Sequence, residues 1–484
     1  MTSRTLMLLS AAVLFAGMKP ATAQPSEHAG LLAAVETQTP GIGRVARALW
    51  DYAEVGYQET RSSTLLQQEL RKAGFSVHAG VAGIPTAFVA SFRNGRGPVI
   101  GILAEFDALP GLAQNAVPER SPIPGKAAGH GCGHNLFGAA SLGAAVAIRR
   151  WMEANDVLGE IRVYGTPAEE GGGAKVYMAR AGLFADVDAV LHWHPADANS
   201  AAQDLAMANI SGKFRFHGVS AHAASNPHLG RSAVDGIEVM DVAVNAMREH
   251  VPETVRIHNI ITAGGSAPNV VPDFAENYYY VRDWDPEVVR QVLARVRKAA
   301  DGAAMATETT VEFELVNGVY GLLPNDTLGK VVDANLREVG PPQWDAADLA
   351  FAKSLGMHLA KPRPVEDGKT IRAYSVGERG AGSTDVGDVS WVVPTVGVRV
   401  ATYPPGTPAH SWQAVASAGA PFGEKGATAA AKTLALTAAD LMHRPAVLKE
   451  ARAEFDRRRG EGFTYRPLVG DREPPLDYRR RAGE

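Results

Sequence analysis

The spacing of hydrophobic residues changes along the chain, and each change predicts a different kind of element. From residue 28 to residue 80, apolar side chains recur every three or four positions, which is the spacing of amphipathic helices. Gly74 predicts the end of the second helix here, because glycine commonly follows a last helical turn. The helical spacing is carried by Leu31, Leu32, Val35, Leu65, Leu66 and Leu70.

Beyond residue 80 the pattern becomes short apolar or alternating runs separated by glycines, which predict buried strands. These runs cover residues 87–92, 99–103, 161–165 and 189–192. An alanine-rich stretch of helix length lies between them at 139–152. The alternation of strand and helix predicts an α/β fold with a mostly parallel sheet.

Residues suited to metal binding or acid–base chemistry stand where these predicted strands end. Asp107 follows the second strand, Glu169 and Glu170 follow the third, and His192 and His194 follow the fourth. Ligands of parallel α/β sheets bind beyond the carboxyl ends of the strands. We therefore expect all of these side chains at one rim of the sheet.

A second pattern occupies residues 208–322, with stretches in the order strand, helix, strand, strand, helix, strand. This order predicts a ferredoxin-like α+β domain, in which a four-stranded sheet carries two helices on one face. We interpret 208–322 as an inserted lid or dimerisation domain. The predicted stretches are 213–217, 233–249, 255–262, 277–282, 287–300 and 310–315.

The alternation of strand and helix returns after the insertion, so residues 28–207 and 323–445 together form the predicted catalytic domain. Its segment 340–370 is predicted to be rich in loops, and its last long helix is predicted at 426–442. Arginines and prolines are frequent in 450–484, which predicts a charged tail that wraps the surface or is partly disordered.

The first 23 residues have the layout of a secretory signal peptide. Arg4 gives a positive start, an apolar run follows, and small residues precede a predicted cleavage after Ala23. Cleavage there predicts a periplasmic or secreted protein, whereas an uncleaved anchor or a misassigned start is the alternative. No later stretch is apolar over the about 18 residues of a membrane helix, so we expect no membrane span in the mature chain.

Length and charge narrow the classes of function. A chain of 484 residues exceeds the size at which one hydrophobic core stops growing, which agrees with two domains. The formal net charge is −4, so the sequence has no basic surplus for nucleic acid or anionic lipid. A small-molecule substrate is the better interpretation.

Cys132 is the single cysteine of the chain and lies in a box of glycines and histidines at 129–135. One thiol cannot form an internal disulfide, so metal ligation and nucleophilic catalysis are the chemical roles open to it. Downstream stretches with neighbouring acids at 166–170 and with histidines at 191–195 and 408–412 favour metal ligation. Thiolate, imidazole and carboxylate together suit zinc or a similar divalent ion, and a spare carboxylate suits a metal-activated water as its base.

Seven motifs occur in the order in which one enzyme family carries them. They are ILAEFDALP at 102–110, GHGCGHN at 129–135, TPAEE at 166–170, WHP at 193–195, SAHAA at 220–224, PNVVP at 268–272 and AH at 409–410. The chain thus resembles the M20 family of metallopeptidases and amidohydrolases. Within that family it is most similar to the branch that contains the aminobenzoyl-glutamate hydrolase B subunit and the amino-acid-conjugate amidohydrolases. The resemblance covers about residues 28–445 and implies a zinc-exopeptidase-like catalytic domain.

The resemblance implies two divalent ions per chain, zinc or manganese, with cobalt as a further option. The implied ligands are Cys132, His134, Glu170, His194 and His410. Cys132 would then bridge the two ions. Glu169 becomes the general base, and Asp107 fixes a ligand or the base in place from behind.

Four further residues near these motifs have two interpretations each. His192 is the alternative to His194 as a ligand, or a strand-end histidine. His130 is a turn residue, or a ligand or orienting group in the same box. Asp385 and Asp388 line the pocket, or cap a following helix.

By the same resemblance, residues of the inserted domain contact the substrate. His222 matches a histidine that dimeric family members use to polarise the scissile carbonyl or to stabilise its oxyanion. Asn269 and Arg282 match positions that hold a substrate carboxylate or carbonyl oxygen. The plain alternatives are a surface histidine, a turn asparagine and a structural ion pair. A homodimer formed through the lid domain is therefore expected, with a higher oligomer as an alternative.

The sequence therefore predicts a metal-dependent amidohydrolase that cleaves the amide of N-acyl or N-aroyl amino acids such as aminobenzoyl-glutamate. A dipeptidase or carboxypeptidase of the same fold is the close alternative, because the same centre cleaves either bond. A catalytically silent, dimeric metal-binding scaffold is the alternative from another class, since a fold does not guarantee activity. The presence of Glu169 together with all five implied ligands speaks against a silent scaffold.

Overall fold

The computed structural model describes residues 25–380 and 382–479. The predicted signal peptide at 1–23 lies outside these residues. Within the part of the chain that is described, no helix combines the length and the hydrophobicity that a membrane crossing requires.

The strands and helices follow the alternation that the sequence predicts. In chain order the strands are β1 (Ser76–Ala79), β2 (Phe88–Asn94), β3 (Val99–Ala104), β4 (Leu109–Pro110), β5 (Ala128–Gly129), β6 (Gly159–Gly165), β7 (Ala189–Ala196), β8 (Gln203–Leu205), β9 (Ala208–His217), β10 (Arg256–Ala263), β11 (Phe274–Asp283), β12 (Thr310–Val319), β13 (Val376–Arg379) and β14 (Thr395–Ala401). The helices are α1 (Pro25–Glu36), α2 (Thr39–Tyr52), α3 (Thr60–Lys72), α4 (His134–Ala154), α5 (Ala174–Arg180), α6 (Ala233–Met247), α7 (Pro286–Thr307), α8 (Asp326–Val339), α9 (Ala346–Gly356), α10 (Val386–Ser390), α11 (Trp412–Ala418), α12 (Pro421–His443) and α13 (Pro445–Arg459).

The central sheet has the strand order β1-β2-β6-β3-β7-β14. β6, β3, β7 and β14 run parallel, whereas β2 runs antiparallel to its two neighbours. β3 is buried along its whole length, as expected of a strand between two parallel neighbours. The catalytic domain is therefore a mixed α/β fold with a mostly parallel central sheet, as predicted.

Helices α4 and α12 pack against each other and against this sheet. Every position of α4 from His134 to Ile148 is buried, which the alanine-rich sequence allows without overcrowding. Gly138 lets the helix approach the end of β3, because a β-carbon there would lie 2.9 Å from the carbonyl oxygen of Glu105. The start of α4 is thus held next to the loop that follows β3.

The inserted domain forms the second sheet, with strand order β10-β11-β9-β12 and antiparallel pairing throughout. Helices α6 and α7 pack against each other and on this sheet. This is the predicted ferredoxin-like arrangement. Its buried side chains form a hydrophobic core separate from that of the catalytic domain. These elements run from Ala208 to Val319, inside the predicted boundaries of 208 and 322.

One predicted strand is longer than expected. β7 continues to Ala196, because β14 pairs with it residue by residue from Val190 onward. His192 and His194 therefore lie on the strand and not after it, which corrects the sequence-based placement. Both still reach the rim, because β7 ends two residues beyond His194.

The segment 340–370 contains α9, where the sequence predicts mainly loops. The side chain of Asp345 accepts hydrogen bonds from the amides of Ala347 and Asp348, and the side chain of Asp348 accepts from the amide of Asp345. This capping box fixes the start of α9. The signal was present in the sequence, but the surrounding prolines and glycines obscured it.

The predicted tail at 450–484 begins inside α13 and continues as an irregular segment, residues 460–479, which we call the C-terminal arm. Leu468 and Val469 are buried. Leu468 belongs to the core of the inserted domain and Val469 to the core of the catalytic domain. The arm thus wraps the molecule and is anchored in it, and its described residues do not form the partly disordered end that the composition allowed.

Candidate metal centre

The five predicted metal ligands come together at the rim of the central sheet. Their ligand atoms form two groups, and within each group all atoms lie within 4.8 Å of one another. The first group is Cys132, His134 and His194, and the second is Cys132, Glu170 and His410. Cys132 belongs to both groups, which is the position of a side chain that bridges two ions.

Cys132 lies in a tight turn between β5 and α4, and a glycine allows this turn. Gly133 has a φ of 72°, in the left-handed region that favours glycine. A β-carbon at Gly133 would collide with the hydroxyl of Tyr403 and the ring of Pro195. The turn leads directly into α4, whose first residue is His134, so one short segment supplies two candidate ligands.

His194 and His192 lie on β7 with one residue between them, so both side chains point to the same face of the sheet. Nδ1 of His194 donates to the carbonyl oxygen of Pro195 at 2.7 Å, which leaves Nε2 as the acceptor. That Nε2 atom lies 3.5 Å from Sγ of Cys132. His192 lines the cavity but belongs to neither ligand group. The geometry therefore favours His194 as the candidate ligand.

Asp107 contacts two candidate ligands from behind. Its Oδ1 accepts from Nδ1 of His134 at 2.9 Å, and its Oδ2 accepts from the amide of Glu170 at 2.9 Å. Burial alone would raise the pKa of Asp107, but the charge and hydrogen bond of His134 lower it to about 2. The ionised carboxylate orients Nε2 of His134 toward the first group, as carboxylates commonly do behind metal-binding histidines.

Glu170 and His410 meet at the edge of the site. Nε2 of His410 lies 3.1 Å from Oε1 of Glu170, and this contact raises the pKa of His410. His410 has a φ of 58°, unusual for a residue with a β-carbon. Its amide donates to the carbonyl oxygen of Gly131 at 2.9 Å, which holds the strained residue against the Cys132 turn. Such strain costs about 1–3 kcal/mol and tends to occur at functional sites.

A buried charge network next to Glu169 was missed by the sequence analysis. Nζ of Lys175 lies 2.8 Å from Oε1 of Glu105 and 2.7 Å from Oδ1 of Asp385, and all three side chains are buried. Burial, followed by the charges of Glu105, Glu170 and Asp385, raises the pKa of Glu169 well above its usual range. A carboxyl group with a raised pKa is suited to general-base catalysis near neutral pH.

Asp385 and Asp388 have neither of the roles that the sequence suggested. Asp385 pairs with Lys175 and makes no side-chain cap at the start of α10. Asp388 accepts from the amide of Tyr320 at 2.9 Å and from the hydroxyl of Tyr465 at 2.6 Å. Both aspartates therefore support the structure around the site.

The atoms that face the shared space fit cations better than they fit one another. Nε2 of His134 and Oε2 of Glu105 lie 3.1 Å apart, yet neither atom has a hydrogen-bond partner among the described residues. Burial raises the pKa of Cys132 to about 12, so a thiolate there requires nearby positive charge. A thiolate with imidazoles and carboxylates is a donor set for zinc and similar ions.

A cavity of about 420 Å³ opens onto both ligand groups. Glu169 lines it together with the candidate ligands Cys132, Glu170, His194 and His410. Its wall also carries Asp204 and Arg399, whose charged atoms lie 3.6 Å apart. A substrate in this cavity would therefore meet an acidic and a basic side chain within a short distance of the ligand atoms.

The predicted substrate residues of the inserted domain lie in two places. His222 and Asn269 are exposed on neighbouring loops, where the amide of Ala223 donates to the carbonyl oxygen of Asn269 at 3.0 Å. Neither residue lines the cavity of the described chain. Arg282 lies on β11, and its Nη1 is 3.4 Å from Oγ of Ser383, which does line the cavity. One chain thus brings Arg282 to the edge of the cavity, but not His222 or Asn269.

His130, which the sequence left between a turn residue and a ligand, supports the fold. Its Nε2 donates to the carbonyl oxygen of Leu49 at 3.0 Å. Burial lowers its pKa to about 3, so the ring is neutral. It belongs to neither ligand group within the described part of the chain.

Two ligand groups that share a thiolate, a spare carboxylate and a common cavity are the arrangement of a dinuclear metallohydrolase. The chain belongs to the peptidase family M20/M25/M40, whose model matches residues 101–448. It is therefore a hydrolase that acts on amide bonds, as predicted.

Known relatives cover most of the chain. It is 39% identical over 449 residues to the B subunit of the p-aminobenzoyl-glutamate hydrolase of Escherichia coli, over 87% of this chain and 93% of that protein. It is 31% identical over 430 residues to the Xaa-Arg dipeptidase of Mus musculus, over 86% of this chain and 88% of that protein. Among solved structures, the Bacillus subtilis YXEP protein, a dinuclear metal binding peptidase from the M20 family, matches with a TM-score of 0.57 at 19% identity. That match covers 83% of this chain and 98% of that chain. The predicted family and the predicted fold are both confirmed.

Proposed function

We propose that this chain is a metal-dependent amidohydrolase that cleaves the amide of N-acyl or N-aroyl amino acids, with aminobenzoyl-glutamate as the reference substrate. The observation that carries the proposal is the convergence of two ligand groups on Cys132 beside Glu169. The residues that would hold the two ions are Cys132, His134, Glu170, His194 and His410. The Escherichia coli relative supports the substrate class, because its name states that substrate.

The reaction follows from the position of Glu169, whose carboxylate lies within 4.8 Å of the ligand atom of His134. When bound, two divalent ions such as zinc, manganese or cobalt would polarise the amide carbonyl and acidify a water molecule. Glu169 takes a proton from the water as the water oxygen bonds to the carbonyl carbon. It returns the proton to the leaving nitrogen as the C–N bond breaks, which yields a carboxylic acid and an amine.

The cavity wall supports two substrate classes. Arg399 would pair with the carboxylate of a released amino acid such as glutamate. Asp204 beside it would accept a cationic group instead. A dipeptidase is therefore the second candidate function, and the Xaa-Arg dipeptidase of Mus musculus supports it.

We further propose that two copies of the chain form a homodimer through the inserted domain. The domain exposes apolar side chains on α6, where Val242 is 70% exposed, and on the edge strand β10, where Ile260 is 62% exposed. An exposed apolar edge strand is suited to pairing with a second copy. His222 and Asn269 would then reach the cavity of the partner. Since the Escherichia coli relative is by name one of the differing subunits of its hydrolase, a complex with a different chain is the competing arrangement.

We also propose export, on the basis of the first 23 residues alone. Amino-terminal sequencing of protein recovered from the periplasmic fraction tests it. A mature chain that begins at Gln24 is the expected result, and an intact first methionine would contradict the proposal.

The central experiment removes and restores the metal. Purified protein is stripped with a chelator, reloaded with zinc, manganese or cobalt, and assayed on aminobenzoyl-glutamate, N-acyl amino acids and Xaa-Arg dipeptides. We expect turnover to vanish on stripping, to return on reloading, and to show its highest kcat/KM on an N-aroyl or N-acyl amino acid. A preference for dipeptides selects the second candidate. Turnover by the stripped protein would contradict metal dependence, and metal binding without hydrolysis of any amide would favour the silent scaffold.

A further inference from the structure

The C-terminal arm, residues 460–479, lies beyond residues 101–448, which the family model matches. The arm leaves α13 and returns across both domains to the turn that carries Glu170. Its course is fixed midway by Leu468 and Val469, which are 6% and 1% exposed and belong to the cores of the two domains. The last described residues of the chain therefore end at the candidate metal centre.

Two side chains at the end of the arm donate to one carbonyl oxygen, that of Glu170. Oη of Tyr478 lies 2.9 Å from this oxygen, and Nη2 of Arg479 lies 2.7 Å from it. The amide of Glu170 donates to Asp107 on its other side. The backbone of Glu170 is thus held at both ends, while its carboxylate faces His410.

The surroundings of Tyr478 accommodate its ring and hydroxyl. The ring packs edge-on against Tyr57, with the ring centroids 5.7 Å apart. Gly56 leaves room for the hydroxyl, because a β-carbon there would collide with it. Tyr57 donates to the carbonyl oxygen of Gly172 at 2.7 Å. The arm, the segment at 56–57 and the turn after Glu170 therefore form one packed unit.

The turn that carries Glu170 needs external support, because three glycines follow it. Gly171 and Gly173 have φ values of 95° and 67°, in a region that glycine enters freely but does not specifically prefer. A ligand on such a turn loses conformational freedom when it binds an ion, and this loss weakens binding. A backbone that is already fixed avoids that cost.

We propose that Tyr478 and Arg479 are positioning residues, which hold Glu170 ready for a divalent ion, so that the C-terminal arm sets the metal affinity of the centre. The inference rests on the proposed function only in that it requires an ion at Glu170. Both residues act through the carbonyl oxygen of Glu170. Loss of hydrogen bonds behind a metal ligand typically weakens metal binding about 10–100-fold.

A pair of double variants tests the proposal. Tyr478→Phe with Arg479→Ala removes both donors to Glu170. Tyr465→Phe with Arg472→Ala is the matched control on the same arm, because Tyr465 donates to a carboxylate and Arg472 to a backbone carbonyl elsewhere. Each variant loses one phenol hydroxyl and one guanidinium, but only the first changes the hydrogen bonds of Glu170.

The readouts are metal affinity, measured by competition with a chelator, and kcat and KM at saturating metal. We expect the variant at Tyr478 and Arg479 to hold its weaker ion about 10–100-fold less tightly, with kcat largely recovered at saturating metal. The control should bind metal as the wild type does. Unchanged affinity, or an equal loss in both variants, overturns the proposal. If the wild type itself binds no divalent ion, the proposed function fails as well, and the two failures are thereby distinguished.

A single substitution serves if the double variant does not fold. Tyr478→Phe removes one hydroxyl and is compared with Tyr465→Phe in the same competition assay. A loss of metal affinity confined to Tyr478→Phe supports the proposal, and equal affinities overturn it. Arg479→Lys keeps a donor within reach of the carbonyl oxygen of Glu170 and should retain more affinity than Arg479→Ala.

Discussion

The rim of the central sheet and the loops of the inserted domain differ in how they place their predicted functional residues. At the rim, side chains from four separate segments bring their ligand atoms within 4.8 Å of one another in each group. On the inserted domain, His222 and Asn269 lie on exposed loops and do not line the cavity of the described chain. We infer that one chain builds the candidate metal centre, whereas the inserted domain completes the substrate site by closure or through a second chain.

The difference has a physical origin in the topology. The parallel strands β6, β3, β7 and β14 end at one edge of the sheet, so residues at or just beyond their carboxyl ends are brought together wherever they lie in the sequence. The loops with His222 and Asn269 belong to another sheet with its own core. Their distance to the cavity therefore depends on how the domains and the copies are arranged.

Removal of the base should produce the largest effect at the rim. In Glu169→Gln the amide cannot take a proton from water, so kcat should fall about 10²–10⁴-fold. The metal content, measured by elemental analysis, should stay unchanged. Glu153→Gln, at an exposed position on α4, is the control and should retain kcat. A decrease in kcat no larger than that of the control would exclude Glu169 as the base.

Loss of the buried cation should produce the next largest effect. Lys175→Met leaves Glu105 and Asp385 without their partner, which should lower the free energy of unfolding by about 3–5 kcal/mol. Lys213→Met is the control, because Lys213 is about a third exposed and lies 3.1 Å from Glu276. That change should cost no more than about 1 kcal/mol. Equal losses in chemical denaturation would show that the buried network does not support the rim.

A smaller effect is expected behind the ligands. Asp107→Asn leaves one acceptor oxygen for two donors, Nδ1 of His134 and the amide of Glu170, so metal affinity should fall about 10–100-fold. Asp188→Asn is the control, since Asp188 also accepts from a backbone amide, that of Val99, where β3 begins. Chelator competition that finds the two variants equal would exclude Asp107 as an orienting residue.

The inserted domain gives the smallest signal and the sharpest contrast. If His222 acts across a homodimer, mixing inactive Glu169→Gln with inactive His222→Ala should restore about a quarter of the wild-type sites at equal ratio. The reason is that half of the dimers are mixed, and each mixed dimer has one complete site. Activity of the mixture is measured after exchange of subunits. No recovery would place His222 at the cavity of its own chain, or outside catalysis.

Much of the rim could be predicted because its chemistry is local in the sequence. The motifs that contain Cys132, Glu170 and His410 name their own ligands, and the alternation of strand and helix predicts that they meet. The choice of His194 over His192 needed the structure, since the two residues share one face of β7. Only the distance to Cys132 separates them.

The buried network and the arm could not be predicted. Lys175 resembles any surface lysine in sequence, and its partner Asp385 lies more than two hundred residues away. The arm has the charged, proline-rich composition of a disordered tail. Its order comes from tertiary contacts, because Leu468 and Val469 enter two cores and Tyr478 enters a space left by a glycine.

The position of the ions tests the central claim most directly. Crystals grown with zinc or manganese give anomalous diffraction at the absorption edge of the metal, which locates each ion independently of any assumed ligand. The account predicts two peaks per chain, about 3.5–4 Å apart, with Sγ of Cys132 between them. A single peak, or peaks that do not contact Cys132, would contradict it.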